Sequence, residues 1–521
     1  MAITTPREAL PSAPVRRVAT TGLLLTSLLW SASVQAQAWR ITPALKATAT
    51  ASSNVGLQSS SGATMDTVLT ITPQVQLQGT GPDYRLTGTL AADMVTYLGR
   101  SRADRILPRG QIALNGRVVD RLLFVDAELG ADTTSSTPFD LLSDGATAYN
   151  VGTSTRQRFS PYLDRELSPS SRLTARTDHV LTQGRGVGTL PNVANNADAY
   201  VQTHTARYDL RPEPAGLRAE FNRQHTQYND STAGGLMLQT ARLSALYAPD
   251  PSLTLGLTGG RDAASFTTNQ FNETLRGLSL RWAPTERTSL DALVEKRFFG
   301  NGWTVNFAHR SPFMAVSAGV VRQATTFASR LGVLQAGGDV ATLVDSILQT
   351  RIQDPALRQV AVQDLIAKRG LPNTLTGPVD LFSRTVQLQQ GGNVTLALIG
   401  VRHTVTLRLF QTRTEDLRGP TEDSVIGLAS DATQRGATLG LSRRLTPETT
   451  ADLTFTHTRT EGLGPNLGLQ SNNSIVRLGA THSLSPRTTL SGAVRHQTGS
   501  SSLIGVNATE SALSVGMLHR F

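Results

Sequence analysis

The feature that most restricts how this chain folds is the strict apolar–polar alternation of its last three runs, from Ile475 to Phe521. Alternation with a period of two is the pattern of a β-strand whose two faces meet different surroundings. In the final run, one face carries Leu513, Val515, Met517, His519 and Phe521. The other face carries Ala512, Ser514, Gly516 and Arg520. The chain is therefore predicted to end in antiparallel strands with one apolar and one polar face.

The connections between these runs differ in length. Residues 484–488 read as a tight turn, residues 499–507 read as a longer polar loop, and the chain ends on an aromatic residue. This combination predicts a bacterial outer-membrane barrel, which has short turns at one end and long loops at the other. The alternative, a soluble antiparallel sheet, is disfavoured because the same design recurs upstream. The predicted signal for the barrel-assembly machinery comprises Leu513, Val515, Met517 and Phe521, and His519 departs from its usual pattern.

Length and composition agree with a large barrel. A soluble chain of 521 residues would be expected to divide into several domains, each with its own core. A membrane barrel is not limited in this way, because lipid covers its apolar outer face. Cysteine is absent, which excludes disulfides, thiolate metal sites, cysteine nucleophiles and a lipoprotein anchor. Aromatic residues make up 5%, so the aromatic girdles usual at both membrane interfaces are expected to be thin.

The first 38 residues have the composition of a secretory signal peptide. A basic pair at residues 16–17 precedes an apolar core over residues 22–32, and small residues follow. Cleavage after Ala36 and cleavage after Ala38 both fit. The apolar core is too short to span a bilayer, and no other run approaches spanning length. The predicted organisation is a signal peptide over residues 1–38 and a barrel over residues 39–521, interrupted by a helical insertion at residues 339–371.

The chain is basic, with a net charge of +10. Many of its arginines fall on the polar face of predicted strands, where they would line a lumen or meet anionic lipid sugars. The expected partners are outer-membrane lipid and lipopolysaccharide. Nucleic-acid binding is not indicated, because no basic run with interleaved aromatic residues is present.

A repeated phrase marks one set of turns. An apolar or aromatic residue, a small residue and a proline precede a new alternating run, as at Pro169, Pro249, Pro284, Pro447 and Pro486. Proline ends strand pairing because it lacks the backbone N–H. Together with other turns, such as one at Asn115–Gly116, these turns make ten, which predicts an all-β up-and-down barrel of 18–22 strands, with an even number.

Ionised side chains recur on only one face of these strands, which a wet lumen accepts and a dry core does not. The predicted lumen-lining residues are Arg281, Asp291, Glu295, Arg297, Asp452, Arg477 and Arg495. Reversing the charge of Arg477 or Arg495 is expected to change ion preference and to leave assembly intact.

One segment breaks the strand pattern. Residues 339–369 show helical periodicity, with Asp339 as a cap and a second helix starting at Pro355 and ending near Gly370. The apolar face of such a helical hairpin must be buried against another surface. A cap over the mouth or a plug in the lumen is favoured, and a position in the periplasm is the alternative.

The chain resembles the outer-membrane barrels associated with PEP-CTERM/exosortase and exopolysaccharide systems of Gram-negative bacteria. The resemblance is carried by residues 39–43 with 53–55, 352–358 with 370–372, 400–404 and 414–417, reading WRITP, SNV, IQDPALR, GLP, GVRHT and TEDL. His403 stands where the family pattern has Asn. The resemblance implies a role in exopolysaccharide export or surface display, with exopolysaccharide as a partner.

No catalytic motif is found. Phosphate loops, zinc-protease motifs and nucleophile elbows are absent from the sequence, so no enzymatic activity, cofactor or metal is predicted. Asp178 and His179 are neighbours that would point to opposite faces of a strand or lie at its end. Glu295 and Asp452 are the carboxylates that remain open for glycoside hydrolysis. The predicted function is a porin-like pore, and the alternatives are a non-conducting structural barrel and an envelope enzyme.

Overall fold

The structure is a computed structural model that describes residues 38–135, 137–141, 151–185, 198–228, 235–266, 269–327, 329–330, 340–349, 351–353, 357–358, 361–362, 365–366, 375–379, 386–417 and 431–521. The strands are β1 (Ala38–Ser52), β2 (Asp66–Thr80), β3 (Tyr84–Tyr97), β4 (Arg105–Val119), β5 (Leu123–Ser135), β6 (Val151–Ser168), β7 (Ser171–Arg185), β8 (Ala199–Leu210), β9 (Ala215–Tyr228), β10 (Leu236–Asp250), β11 (Leu253–Phe266), β12 (Asn269–Thr285), β13 (Thr288–Arg297), β14 (Gly300–Arg310), β15 (Met314–Thr326), β16 (Val386–Ile399), β17 (His403–Asp416), β18 (Ala432–Arg444), β19 (Thr449–Gly462), β20 (Gln470–Ser483), β21 (Thr488–Ser501) and β22 (Val506–Arg520). Helix α1 spans Val340–Leu348, and Gly464–Asn466 forms a 3₁₀ turn.

The strands form one closed antiparallel barrel. Each strand pairs with its neighbours in the chain, and β1 pairs with β22 from Ala44↔Arg520 to Ser52↔Ala512. Closure pairs the first and last strands over the length that they share, which a sheet surrounded by lipid requires. The predicted all-β barrel is confirmed, with 22 strands at the upper end of the expected range. No described helix is long and apolar enough to cross a membrane.

The connections differ between the two ends of the barrel. At one end, which also holds the start of β1 and the end of β22, strands are joined by short connections such as residues 81–83 and 251–252. At the other end lie the long connections, including residues 53–65, 136–150 and 327–385, together with short ones such as residues 298–299 and 502–505. We call these the short-turn end and the long-loop end.

Three local predictions were wrong in position. Asn115 and Gly116 lie inside β4, paired with Asp126 and Val125, because the strand continues to Val119. Pro249 and Pro284 lie within the last residues of β10 and β12 rather than in the turns that follow. The loop predicted at residues 499–507 is shorter, because β21 and β22 pair out to Ser501↔Val506.

The two faces of the barrel wall follow the sequence alternation. Outward-facing apolar side chains such as Leu257, Leu278 and Val515 are 60–65% exposed, so nothing in the protein covers them. Inward-facing positions carry mostly threonine, serine and ionised residues, for example Thr258, Asp262 and Glu295. An apolar exterior around a polar interior is the arrangement of a barrel that sits in lipid.

The insertion between β15 and β16 contains α1, which begins and ends within the predicted helical segment. Asp339, Pro355, Gly370 and Pro372 lie outside the described residues, so the predicted cap, second start and end are not described. The described positions of the second predicted helix, 357–358, 361–362 and 365–366, are helical.

Candidate functional site: the lumen and its insertion

Helix α1 lies against the inner wall of the barrel. Its buried side chain Ile347 contacts Ala315 of β15 and Ala397 of β16, both of which share the inward-facing parity of their strands. Small residues on the wall let the helix approach closely. Val340 and Val344 add to an apolar cluster with residues further along the insertion, namely Val362, Ile366 and Leu375. The predicted apolar stripe is therefore buried inside the lumen.

Polar contacts hold the insertion at the short-turn end. Arg310, the last residue of β14, donates from Nη1 to Gln349 Oε1 just after α1. Arg351 Nη2 donates to the Pro312 carbonyl at 3.1 Å, and its guanidinium lies 5.4 Å from the centroid of the Phe313 ring. Both Pro312 and Phe313 belong to the turn between β14 and β15. The chain leaves β15 at the long-loop end, so the insertion reaches the full length of the lumen.

The returning part of the insertion contacts the next two strands. Arg408 of β17 donates from Nη1 to the Leu375 carbonyl at 3.4 Å. Further up, the amide of Gln434 on β18 is bonded to both backbone groups of Val379, at 2.8 and 2.6 Å. These contacts lie at increasing distance from the short-turn end. The described insertion therefore covers the arc of inner wall formed by β15 to β18.

Further contacts bridge the lumen at two places at the long-loop end. Thr326, at the tip of β15, accepts a hydrogen bond from Gln224 of β9 at 3.2 Å. On the other side, residues that follow β5 cross to the last strands of the barrel. Ser501 donates to the Phe139 carbonyl at 2.7 Å, and Ser471 donates to the Asp140 carbonyl at 3.2 Å. The long-loop end of the lumen is thus spanned at two places.

The inner wall from β5 to β13, outside the arc that the insertion covers, carries paired charges. The pairs are Arg156–Glu128, Arg158–Asp178, Arg176–Asp126, Arg207–Asp209, Arg242–Glu295 and Arg297–Asp262. Each joins side chains of the inward face. Charges in a dry core would demand full desolvation, so their number indicates a wall that water reaches.

Four predicted lumen residues belong to this arc. Glu295 accepts two hydrogen bonds from Arg242 at 2.7 and 2.8 Å, and Arg297 bonds Asp262 at 2.6 and 2.8 Å. Glu295 is 4% exposed, because the side chains of Arg242 and Arg297 cover its carboxylate. Arg281 and Asp291 lie nearer the short-turn end, 3.9 Å apart and 67% and 54% exposed. These two side chains are therefore accessible to water.

The remaining three predicted lumen-lining residues lie across the barrel, on β19 to β21. Arg477 donates to Asp452 at 2.7 Å and keeps 39% of its side chain exposed. Arg495 donates to both carboxylate oxygens of Glu510 at 2.9 and 2.8 Å and is buried. A reversal of Arg495 would place two buried carboxylates together. The expectation that assembly survives charge reversal therefore applies to Arg477 and not to Arg495.

The predicted assembly residues lie on the outside of β22. Leu513, Val515 and Met517 are exposed along the outward face, and the Phe521 amide donates to the Pro43 carbonyl at 3.0 Å. The ring of His519 meets that of Phe521 edge-on, with centroids 5.0 Å apart. Phe521 therefore lies at the seam where the first and last strands meet.

The histidines lie on the outward face. Nδ1 of each of four of them lies 2.9–3.0 Å from a hydroxyl of a neighbouring strand: His457, His482, His496 and His519. Among the described residues no group of His, Asp or Glu has an arrangement that would hold a metal ion.

The two catalytic arrangements considered from the sequence are not assembled. Asp178 and His179 lie in the middle of β7 and point to opposite faces, with Asp178 held by Arg158 and His179 by Tyr200. Glu295 and Asp452 lie on β13 and β19, six strands apart in the ring. Each accepts hydrogen bonds from arginine, so they do not form a carboxylate pair across one bond.

One carboxylate organises the rim at the long-loop end. Asp66, the first residue of β2, accepts hydrogen bonds from the Gly99 amide at 2.7 Å and the Ser101 amide at 3.2 Å, and from the Ser101 hydroxyl. Burial acts to raise the pKa of Asp66, but the hydrogen bonds from Ser101 and Gly99 outweigh it and lower the pKa below 3.8. The loop between β3 and β4 is therefore fastened to an ionised group.

Comparison with known proteins finds likeness in the barrel. A model of a family of unknown function, DUF5808, matches residues 292–311. No curated protein sequence matches the chain. The FrpB iron transporter from Neisseria meningitidis has 10% identity and a TM-score of 0.49, covering 92% of this chain and 82% of that one. The ferric citrate transporter FecA in its unliganded form has 9% identity and a TM-score of 0.47, covering 92% and 78%.

The outer membrane protein opdK from Pseudomonas aeruginosa has 12% identity and a TM-score of 0.35, covering 92% of this chain and 99% of that one. These scores lie below 0.5, so the barrel is assigned from the strand pairings of the chain itself. Its closed ring, exposed apolar exterior and two classes of connection are those of an outer-membrane barrel.

Proposed function

We propose that the chain is an outer-membrane pore that serves the export or surface display of an exopolysaccharide and is held shut by its own insertion. The short-turn end would face the periplasm and the long-loop end the exterior, as in other outer-membrane barrels. The observation that carries the proposal is the division of the inner wall. The insertion covers the arc from β15 to β18, and the opposite arc presents ionised side chains accessible to water.

The chemistry of the uncovered arc suits a hydrated sugar polymer. Arginine and carboxylate side chains offer donors and acceptors to sugar hydroxyls, and most are neutralised in pairs. A neutral or weakly anionic polysaccharide would therefore be neither strongly repelled nor strongly held by the charges of the wall. The exopolysaccharide itself is suggested by the sequence resemblance described above, and the geometry supports only a polar, elongated solute.

The insertion is suited to act as a movable plug. Its apolar contacts with the wall involve alanines, and its polar contacts at the short-turn end use the flexible side chains of Arg310 and Arg351. These groups could exchange their contacts for water without leaving a buried charge in a dry core. Opening would require the insertion to leave the arc from β15 to β18.

A secretory signal peptide over residues 1–38 would deliver the chain to the envelope. Because β1 begins with Ala38, cleavage after Ala36 leaves the whole strand, whereas cleavage after Ala38 shortens it by one residue. N-terminal sequencing of the protein from outer-membrane fractions distinguishes the two. An N-terminus upstream of residue 22 would contradict the signal-peptide assignment.

The test of pore function is conductance in planar bilayers. The full chain is expected to open in discrete steps, and a variant in which residues 331–383 are replaced by a short Gly-Ser linker is expected to conduct continuously. Dextran added to one side should lower the current of the open variant. In the same variant, Arg477→Glu should raise the preference for cations, and Val320→Ala on the outward face should leave it unchanged.

A second function is favoured by a different observation. The outer mouth is bridged at Thr326 and at Phe139, and the inner charges are paired, as a non-conducting structural barrel would require. This alternative would be favoured if the full chain shows no conductance at any voltage while the deletion variant conducts. Silence of both, with normal bilayer insertion, would refute the pore.

A further inference from the structure

The outward face of the barrel carries a row of cations at one height. Its members are Arg223, Arg261, Arg276, Lys296, Arg435 and Arg459. All six have the parity of the lipid-facing apolar residues, and all are exposed. Each lies about eight to ten residues from the short-turn end of its strand, about the number with which a tilted strand crosses a bilayer. We call this set the cation row.

Two pairs within the cation row are direct cross-strand partners. Arg276 of β12 is paired with Lys296 of β13, and Arg435 of β18 is paired with Arg459 of β19. Like charges placed opposite each other destabilise a sheet unless something lies between them. The inner wall shows how the protein itself compensates such a pair. Arg477 and Arg495 are also direct partners, and carboxylates neutralise both of them.

On the outside, most of the cation row lacks such compensation among the described residues. Arg276, Lys296 and Arg435 make no ion pair with any carboxylate that the structure describes, although Arg459 bonds Glu461 on its own strand. The same holds for Arg223 and Arg261. Five cations in one row thus have no ion pair with any anion in the part of the chain that the structure describes.

We propose that the cation row binds the phosphate groups of an anionic glycolipid in the outer leaflet, and that each cross-strand pair clamps one phosphate. This inference rests on the membrane orientation given under the proposed function and is independent of conductance. Arginine and lysine at a membrane surface attract anionic headgroups, and a phosphate between two cations turns a repulsive pair into two favourable contacts. The row would also anchor the barrel at this interface.

The barrel itself provides a matched control. Arg443 lies on β18 with Arg435, has the same outward parity, and lies near the short-turn end. It would face the opposite leaflet. Comparing substitutions in the cation row with a substitution of Arg443 therefore distinguishes binding at the outer interface from a general effect of positive charge.

The experiment uses the purified full chain in phosphatidylcholine nanodiscs and measures the binding of lipopolysaccharide. The double variant Arg276→Gln/Lys296→Gln is expected to bind about 30-fold more weakly than the natural protein, and Arg443→Gln is expected to bind equally well. Dephosphorylated lipopolysaccharide should bind the natural protein and the double variant alike. Heat-modifiable mobility in gels verifies that each barrel is folded.

Equal affinity of the double variant and the natural protein for lipopolysaccharide would overturn the proposal. So would undiminished binding after dephosphorylation, because sugar or acyl contacts would then account for it. A second double variant, Arg435→Gln/Arg459→Gln, examines the other pair by the same criteria. These outcomes do not depend on whether the barrel conducts, so failure of the pore and failure of the cation row remain distinguishable.

Discussion

Replacement of Ile347 by alanine tests whether α1 is docked on the inner wall. Ile347 is 1% exposed and packs on Ala315 and Ala397 through side-chain atoms that alanine lacks. Truncation of a buried isoleucine to alanine costs about 2–5 kcal/mol. If α1 can undock while the barrel remains closed, the substitution changes the free energy of undocking and leaves the free energy of unfolding of the barrel unchanged. The undocking equilibrium should then rise by roughly 30-fold to several thousand-fold.

Hydrogen–deuterium exchange of the protein in lipid nanodiscs measures this equilibrium. Amides of α1 should exchange faster by the same factor, and amides of β15 should keep their protection because their partners are in the barrel. Val320→Ala, on the outward face of β15, removes a side chain that does not contact α1 and should leave exchange in α1 unchanged. Unaltered exchange in the Ile347→Ala variant would refute the docking that we describe.

Three further predictions concern the wall, the rim and the seam. Asp262→Asn should lower the stability of the barrel by about 3–5 kcal/mol in urea unfolding, because Arg297 then loses a partner that is 1% exposed. Asp291→Asn, at an exposed pair, should cost at most about 1 kcal/mol, and equal losses would contradict this difference in burial. The pKa of Asp66 is lowered on folding, so its stabilisation is present above pH 3.8 and is lost as the pH falls through the lower folded pKa. Asp66→Asn should therefore speed exchange of the neighbouring loop amides at neutral pH, and the natural loop should loosen only below pH 3.8. Deletion of Phe521 should reduce the yield of folded barrel in the outer membrane without changing the conductance of each pore that forms, and normal yield would argue against a role in assembly.

Much of the fold was predictable because its signals are local. Alternation with a period of two identifies the face of each residue without knowledge of its neighbours, and Pro and Gly mark the turns. The outward position of Val515 and the inward position of Glu295 follow from parity alone. The errors, such as the turn predicted at Asn115, arose where a strand continues past residues that usually form turns.

The contacts of the lumen residues could not be predicted in this way. Arg242 and Glu295 are separated by β11 and β12 in the ring, so their pairing depends on strand register and barrel curvature. Nothing in the sequence around Arg495 indicates that it is buried while Arg477 is not. The cation row was missed because its members lie on different strands and align only when the register of each is known.

The sequence by itself determined that this protein forms many strands with an apolar and a polar face, and that one segment is helical. Those properties depend on residues a few positions apart. Only the tertiary structure decided that the ring closes at 22 strands, that α1 lies on the inner wall at Ala315 and Ala397, and which charges meet. These features depend on residues that are distant in the chain and are brought together by ring closure.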